Sequence, residues 1–486
     1  MSAFSEILSR FIDEKHIKVY SVIQYTGLDR STMYQIINGK RTPASRDIFQ
    51  KIAEALHLTP LEYEDFSEAY LISRIGAETY HKRKSAENFI IQFPNNFSRS
   101  EALKPQPLLR ANSEDASQDS PCIPLSTEVE INYFLHYMLL REASKKDGVI
   151  SLILQSDYDF LFNLLPGLKP SGSLRIEQII CMSNTDEMDE NNELYNLNYL
   201  KRIVPLYIAG MDYHPYYFYE NIRSHYYNLN VFPCLILTSD RAIVCTSDYN
   251  SGILFRDPSV VSMLRDFYYS YRNKCSTLFH LINFVPTSTE QFQSGFYQKT
   301  PSYILQPDAC MTPFLRKEIL DNTIIPQFAE EDNILGQLDA LLSSYRRQLE
   351  TDDMHIYFTK RGMLEFARSG RIKEIPDEFY RAFSPRERSS MMRDMLPCCA
   401  KGIYRILKRP LDHLTDNLHL CVNRTFGYLL FNNMEQHTLC LVIDEPSILG
   451  VFVDYLENLD ESRFYSNEET VEFIEGIIRE LEEKEA

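Results

Sequence analysis

The chain has 486 residues, 44% of them hydrophobic, with a formal net charge of -18 and a pI near 5.2. That length allows roughly two to four domains, and the apolar share excludes a mainly disordered chain. The charge excludes a general nucleic-acid coat. It is also uneven: Met1 to Lys84 carries 12 Lys+Arg and 11 Asp+Glu, which leaves 38 against 57 for the remainder. Any contact with a polyanion is therefore expected only in the first segment, with the acidic remainder held away from it.

The first segment reads as short helices. Ser5 to Lys15 places Leu8, Phe11 and Ile12 on one face, and Lys18 to Thr26 turns Val22 and Ile23 inward. Gly27 closes the second helix, where a left-handed backbone suits glycine alone. Asp29 is placed to cap a third helix by offering its carboxylate to free N–H groups. In that helix Met33 and Ile36 face inward, while Arg30, Ser31, Tyr34, Gln35 and Asn38 fall on the other side. Gly39 ends it, and Lys40, Arg41, Thr42 and Pro43 follow. A fourth helix over Arg46 to Leu56 packs Phe49, Ile52, Ala53 and Leu56 back over the core. Thr59 and Pro60 open a fifth, as cap and first helical residue. It runs to about Ile75, and Glu78 to Phe93 continues beyond Gly76. His81-Lys82-Arg83-Lys84 in this extension reads as a solvated face, with a position along bound DNA as the alternative.

An inward apolar stripe with an outward Arg/Ser/Gln face is what a helix entering the DNA major groove requires. From about Phe4 to Phe66 the sequence resembles the Cro/lambda-repressor-type helix-turn-helix regulators, the xenobiotic-response-element family. The resemblance rests on Gly27, on Leu28-Asp29-Arg30-Ser31-Thr32-Met33 through Ile36, and on Asn38-Gly39-Lys40-Arg41-Thr42-Pro43. It rests also on Ile52-Ala53-Glu54-Ala55-Leu56. It implies that Arg30, Ser31 and Gln35 touch base edges and that Asn38, Lys40 and Arg41 hold phosphates. Thr32 and Tyr34 complete the candidate DNA-binding set. The sequence departs from the family at Val19, where a phosphate-contacting Gln is usual, and at Ile37, where Glu is common.

Asn95 to Ser126 is rich in Ser, Pro, Asn and Ala and reads as a flexible linker. From Thr127 the texture changes to alternating strands and helices, the mark of α/β layers. Strands are expected at Val149–Leu154, Leu174–Met182, Val231–Leu237, Ala242–Cys245, Ile253–Phe255, Met354–Thr359, Leu418–Val422, Tyr428–Phe431 and Leu439–Ile443. Helices are expected at Glu128–Ser144, Tyr158–Leu165, Asn191–Tyr207, Pro258–Tyr271, Ile334–Leu349, Arg386–Leu396, Ala400–Lys408 and Pro446–Leu459. Ile253-Leu254-Phe255-Arg256-Asp257-Pro258-Ser259 matches Leu441-Val442-Ile443-Asp444-Glu445-Pro446-Ser447. Each is a strand, an acidic cap, Pro-Ser and a helix, so two related lobes are expected. The expected domains are 1–75, a 76–94 helical extension, the 95–126 linker, lobes at 127–279 and 280–462, and an acidic C-terminal helix over 463–486.

Two such lobes resemble the phospholipase-D-type duplicated fold, which also serves as the sensing part of some sugar-responsive regulators. Active members of that fold use His-x-Lys-x4-Asp in each lobe. Here only His16-Ile17-Lys18 begins that way, and it lies in the first segment without the Asp. There is no phosphate-loop motif, no Gly-x-Ser-x-Gly elbow and no His-Glu-x-x-His pair. Among the ten cysteines there is no Cys-x-x-Cys pair and no zinc spacing, so they read as buried thiols in a reducing compartment. No catalytic residue, metal or cofactor is therefore expected. Asp212 to Tyr227 carries clustered tyrosines. Tyr213, His214, Tyr217 and Arg223 are its candidate ligand-binding residues, and the alternative is a Tyr-rich amphipathic helix packed on the sheet.

The sequence thus leads to a multidomain protein: an all-α helix-turn-helix domain followed by a larger α/β body. The expected role is a cytoplasmic, sequence-specific transcriptional regulator of double-stranded DNA, acting as a homodimer with a small-molecule effector and no membrane partner. The competing expectations are an enzyme with an unrecognised site in the body and a protein-interaction scaffold.

Overall fold

The computed structural model describes residues 2–93, 120–155, 157–183, 194–220, 230–283, 301–325, 342–343, 345–351, 353–372 and 374–483. The chain divides into two compact units, with the main boundary between Ser85 and Ala86. The first unit is α1 (Ala3–Glu14), α2 (Val19–Thr26), α3 (Arg30–Ile37), α4 (Arg46–Ala55) and α5 (Pro60–Ile75), followed by the start of α6 (Ala77–Ile91). Phe4, Leu8, Phe11, Val22, Met33, Ile36, Phe49, Ile52 and Phe66 form its core. Phe49 stacks between Phe66 and Tyr70, at 5.3 and 4.5 Å. A reciprocal Thr59–Glu62 capping box starts α5, and Lys15 pairs with Glu62 at 2.8 Å. Val19 and Ile37 are partly buried against this core, so the two departures from the family pattern add apolar packing.

The second unit contains two mixed sheets. The first lobe comprises β1 (Cys122–Leu125), α7 (Glu128–Ala143), β2 (Asp147–Ile153), α8 (Asp159–Leu164), β3 (Ser173–Met182), α9 (Tyr195–Ile208), β4 (Asp212–Tyr219), β5 (Cys234–Leu237), β6 (Ala242–Cys245), β7 (Gly252–Phe255), α10 (Pro258–Arg272) and β8 (Ser276–Thr277). The second comprises β9 (Phe279–Asn283), β10 (Ser302–Leu305), α11 (Lys317–Thr323), β11 (Met354–Phe358), α12 (Lys360–Ser369), α13 (Pro385–Ala400), β12 (Tyr404–Ile406), β13 (His419–Val422), β14 (Gly427–Asn432), β15 (Thr438–Ile443) and α14 (Pro446–Glu457). A final helix, α15 (Asn467–Glu483), packs on α13.

The lobes are repeats in topology. One sheet runs β4-β3-β2-β5-β6-β7 and the other β12-β11-β10-β13-β14-β15. In each, three parallel strands are followed by three antiparallel ones, and a further antiparallel strand closes the far edge, β1 beside β7 and β9 beside β15. Such a doubling is what the resemblance to the phospholipase-D-type duplicated fold implies. The lobes nevertheless meet through unlike faces. The crossover helices α8 and α9 of the first lobe share one core with α14 of the second. The crossover helices of the second lobe, α12 and α13, build a separate core on its other face.

Three expectations change. Asp212 to Tyr219 is a strand, not a helix; it pairs in parallel with β3 along its whole length. Ala400 to Lys408 is not a helix either: Gly402, at φ +78°, turns the chain out of α13, and Tyr404–Ile406 joins the sheet beside β11. Cys122–Leu125, read as the end of the linker, is β1; the rest of that segment is largely outside the described residues. The expected helix over Ile334–Leu349 also falls mostly outside them. Among the described residues no helix is long and apolar enough to cross a membrane.

Within the second unit one side chain ties the lobes together. Glu445, fully buried, accepts the amides of Ser447 and Ile448 at 3.1 and 2.8 Å and the Ser447 hydroxyl at 2.7 Å, and so caps α14. The Tyr219 hydroxyl of the first lobe also donates to it. Glu445→Ala removes a cap and leaves buried donors unpaired, so it should destabilise the second unit by about 2–3 kcal/mol. Asp257→Ala, at the half-buried equivalent in the first lobe, should lose far less; urea unfolding of the two variants makes the comparison.

Candidate nucleic-acid interface

The local geometry of α2, α3 and the loop beyond follows from a few residues. Gly27 takes φ +70° at the end of α2, and its amide donates to the Ile23 carbonyl at 3.0 Å. Asp29 caps α3: it accepts the Thr32 amide at 2.9 Å and the Thr32 hydroxyl at 2.6 Å. These two bonds hold the Asp29 carboxyl below the usual carboxylate range. Met33 and Ile36 are buried, which fixes the roll of the helix and turns Arg30, Ser31, Tyr34 and Asn38 outward. Gln35 is half-buried. Gly39, at φ +71°, folds the chain back so that the amides of Lys40 and Arg41 both donate to the Gln35 carbonyl, at 2.9 and 3.2 Å. Pro43 is buried and anchors the loop.

The result is a continuous polar face on α3 ending in two cations. Arg30 lies over the ring of Tyr34 at 5.7 Å. Arg30, Lys40 and Arg41 form no ion pair among the described residues, whereas Lys15 and Lys51 are paired with Glu62 and Asp47. Unpaired cations on one face are available to phosphate oxygens without first breaking an internal bond. Of the eight residues expected here, seven are presented at this surface. The eighth, Thr32, is half-buried and its hydroxyl proton is engaged by Asp29, so its place is in the cap. Lys18 was missed by sequence reasoning. It is exposed beside Val19, precedes the first turn of α2 without a side-chain capping bond, and forms no ion pair among the described residues. A lysine next to the position where the family carries its phosphate-contacting Gln was the signal. His81, Lys82 and Arg83 are half-buried on α6.

The second expected set does not converge. Tyr213 is buried, with its hydroxyl bonded to Tyr199 at 2.6 Å and to Gln178 at 2.7 Å. His214 points to the opposite face of β4, where it meets Asp212 at 2.7 Å. Tyr217 is half-buried near the end of the strand, beside Tyr219. Arg223 lies outside the described residues. The alternation of a strand sends neighbouring residues to opposite faces, so Tyr213 and His214 cannot line one pocket. Tyr213 is part of the core.

Comparison with known proteins agrees with the first unit. Residues 8–66 match the family model of the Cro/C1-type HTH DNA-binding domain. No curated protein sequence matches the chain. Among solved structures, the archaeal chromatin protein TrmBL2 is similar at 11% identity and a TM-score of 0.22, over 46% of this chain and 72% of its own. The phosphatidylserine synthase of Haemophilus influenzae Rd KW20 is similar at 12% identity and a TM-score of 0.23, over 83% of this chain and 97% of its own. The polyphosphate kinase of Porphyromonas gingivalis is similar at 11% identity and a TM-score of 0.21, over 75% and 55%.

Two expected outcomes concern this surface. Asp29 has a depressed folded-state pKa, so its support for α3 is present above its unfolded value and is lost as pH falls through the folded one. Amide exchange of α3 should therefore accelerate in acid below about pH 4. Asp29→Ala should show the fast exchange already at pH 7, and Asp29→Asn, an equally good cap, should remove the pH dependence.

Proposed function

We propose that this protein is a sequence-specific DNA-binding transcriptional regulator whose α/β body pairs two copies and receives an effector. The observation that carries the reading is the outward face of α3. Arg30, Ser31, Tyr34, Gln35 and Asn38 stand on it, Lys40 and Arg41 close it, and it belongs to a Cro/C1-type domain. Arg30, Ser31 and Gln35 read base edges in the major groove; Asn38, Lys40 and Arg41, with Lys18, hold the backbone. The remainder of the chain, with its large acidic excess, adds nothing to phosphate affinity, so binding falls steeply with salt.

A domain of this kind occupies half-sites about one helical turn apart when two copies are held together. The first lobe offers a surface for that pairing. Val129, Tyr133, Tyr137 and Leu140 of α7 are 63%, 41%, 46% and 47% exposed and lie one above another at helical spacing. A stripe of this kind buries itself well against its own copy. An effector acts by favouring one arrangement of the two readers, which requires different affinities for the two arrangements.

Site selection on fragmented DNA with the full-length protein should return an inverted repeat. Recovery of no sequence at moderate salt would sink the regulator reading. On the selected site, Gln35→Ala should cost about 1–3 kcal/mol and relax one base position, with little change on scrambled DNA. Lys40→Ala should weaken all DNA alike and reduce the slope of log K against log salt by about one. Tyr133→Glu with Leu140→Glu should leave a 56.9 kDa monomer in light scattering. It should also lower affinity for the full site by about 100-fold or more, through lost avidity.

A further inference from the structure

The helices that end the two repeats, α10 and α14, have unlike surroundings. Aligned on their shared Pro-Ser start, Met263, Phe267 and Tyr271 of α10 match Val451, Tyr455 and Leu459 of α14. In α14 this face is covered, with Val451 3% and Tyr455 6% exposed. A helix helps to cover it. From the part of α6 that belongs to the second unit, the Phe89 ring meets Phe452 at 5.3 Å and Glu87 accepts the Tyr455 hydroxyl at 3.4 Å. In α10 the matching residues are equally large and apolar, yet they are 60%, 49% and 45% exposed.

The other side of α10 fixes which way the stripe points. Val261 and Tyr268 are buried against the first sheet. The Arg265 guanidinium donates to the carbonyls of Thr238 and Ser239, at 3.2 and 2.7 Å. The helix therefore cannot roll its outer face inward. Phe267 and Tyr271, with ring centroids 4.7 Å apart, form one continuous apolar surface with Met263, because residues four apart on a helix are neighbours. A contiguous apolar stripe left in water marks a docking surface. The stripe is separate from that of α7, which packs on the opposite face of the same sheet.

The pattern of the stripe matches itself. Met263 and Tyr271 lie four residues to either side of Phe267. When two α10 helices cross antiparallel at Phe267, each Met263 meets the Tyr271 of the other copy, a favourable contact of thioether and ring, and the two Phe267 rings meet at the centre. Lys274 lies over the Tyr271 ring at 5.3 Å and forms no ion pair among the described residues. The same crossing carries it to within about one helical turn of Asp257 in the other copy. An exposed pair of this kind adds little affinity but sets the register, and antiparallel helix dipoles agree with it. One patch serving both sides is the property of a two-fold contact. We infer that the outer face of α10 is a second contact between copies of this chain, formed by antiparallel pairing of α10 with α10. One helix on one helix buries less than the roughly 1,200 Å² of a stable interface, so the contact is weak and forms only at high concentration. It stands on α10 by itself; its place beside the α7 pairing rests on the proposed function.

The test is sedimentation of the full-length protein from about 1 to about 300 µM, a range that spans a weak contact. The mass should begin at that of a pair and rise beyond it with concentration. Phe267→Glu sets two like charges against each other at the crossing. It should hold the mass at a pair throughout, with an unchanged melting temperature, whereas Phe267→Leu should keep most of the rise. The Tyr133→Glu, Leu140→Glu variant should begin as a monomer and approach a pair only at the highest concentrations. A photo-reactive benzoylphenylalanine in place of Phe267 should cross-link to α10 of a second copy, which a mixture of isotopically light and heavy protein distinguishes from a link within one chain. The inference is overturned if the mass does not rise, if Phe267→Glu rises as the wild type does, or if the cross-link stays within one chain or reaches a segment other than α10. If Phe267→Glu is a monomer at low concentration and the α7 variant is still a pair, the α10 contact stands and the α7 pairing falls. An α10 cross-link without sequence selection on DNA leaves the contact and removes the regulator.

Discussion

The body depends on the Glu445 side chain. A buried carboxyl is tolerated only when its acceptors are filled, and this one has four donors: two amides of α14, the Ser447 hydroxyl and the Tyr219 hydroxyl. The last comes from the first lobe, so a single residue both starts a helix and joins two halves. Ser447 extends the link, because its hydroxyl accepts from Asn196 at 2.8 Å, and Asn196 in turn is bonded to the backbone of Ser183 at 2.9 and 3.1 Å. The ends of β3 and β4, the start of α9 and the start of α14 are thereby fixed to one another. Hydrogen bonds of this kind are directional, so they set the orientation of the lobes where the surrounding apolar contacts would tolerate sliding.

That orientation matters for what the body does. The repeats are alike in strand order but touch through unlike faces, so equivalent positions of the two lobes do not confront each other across a shared cleft. Each lobe keeps its own strand ends. The meeting of unlike faces buries α14 and leaves the equivalent face of α10 exposed.

Charge divides the labour between the two units. The first is near neutral and carries uncompensated cations at the start of α2, on α3 and in the loop after it. The second is strongly acidic and is repelled by phosphates. Affinity for DNA is thus concentrated in one short segment, and such a segment makes few contacts. The proposed pairing of two copies would raise affinity through effective concentration without new contacts.

The sequence by itself determined the first unit and the existence of the repeat. Gly27, Asp29, Gly39 and the Thr59–Glu62 box act within one turn of chain, so their effect does not need the rest of the fold. The strand-acid-Pro-Ser-helix signature is equally local, and it located α10 and α14. Only the tertiary structure decided the remainder. Tyr213 to Tyr219 carries aromatic residues that suit a helix or a strand, and β3 as a parallel neighbour made it a strand. Cys122–Leu125 is too short to declare itself and gains its structure from β7, more than a hundred residues away. Tyr404–Ile406 likewise depends on β11 for its hydrogen bonds. Met263 and Val451 hold the same place in the repeat, yet one is exposed and the other buried. Their difference lies in residues brought close by folding, which spacing along the chain does not encode.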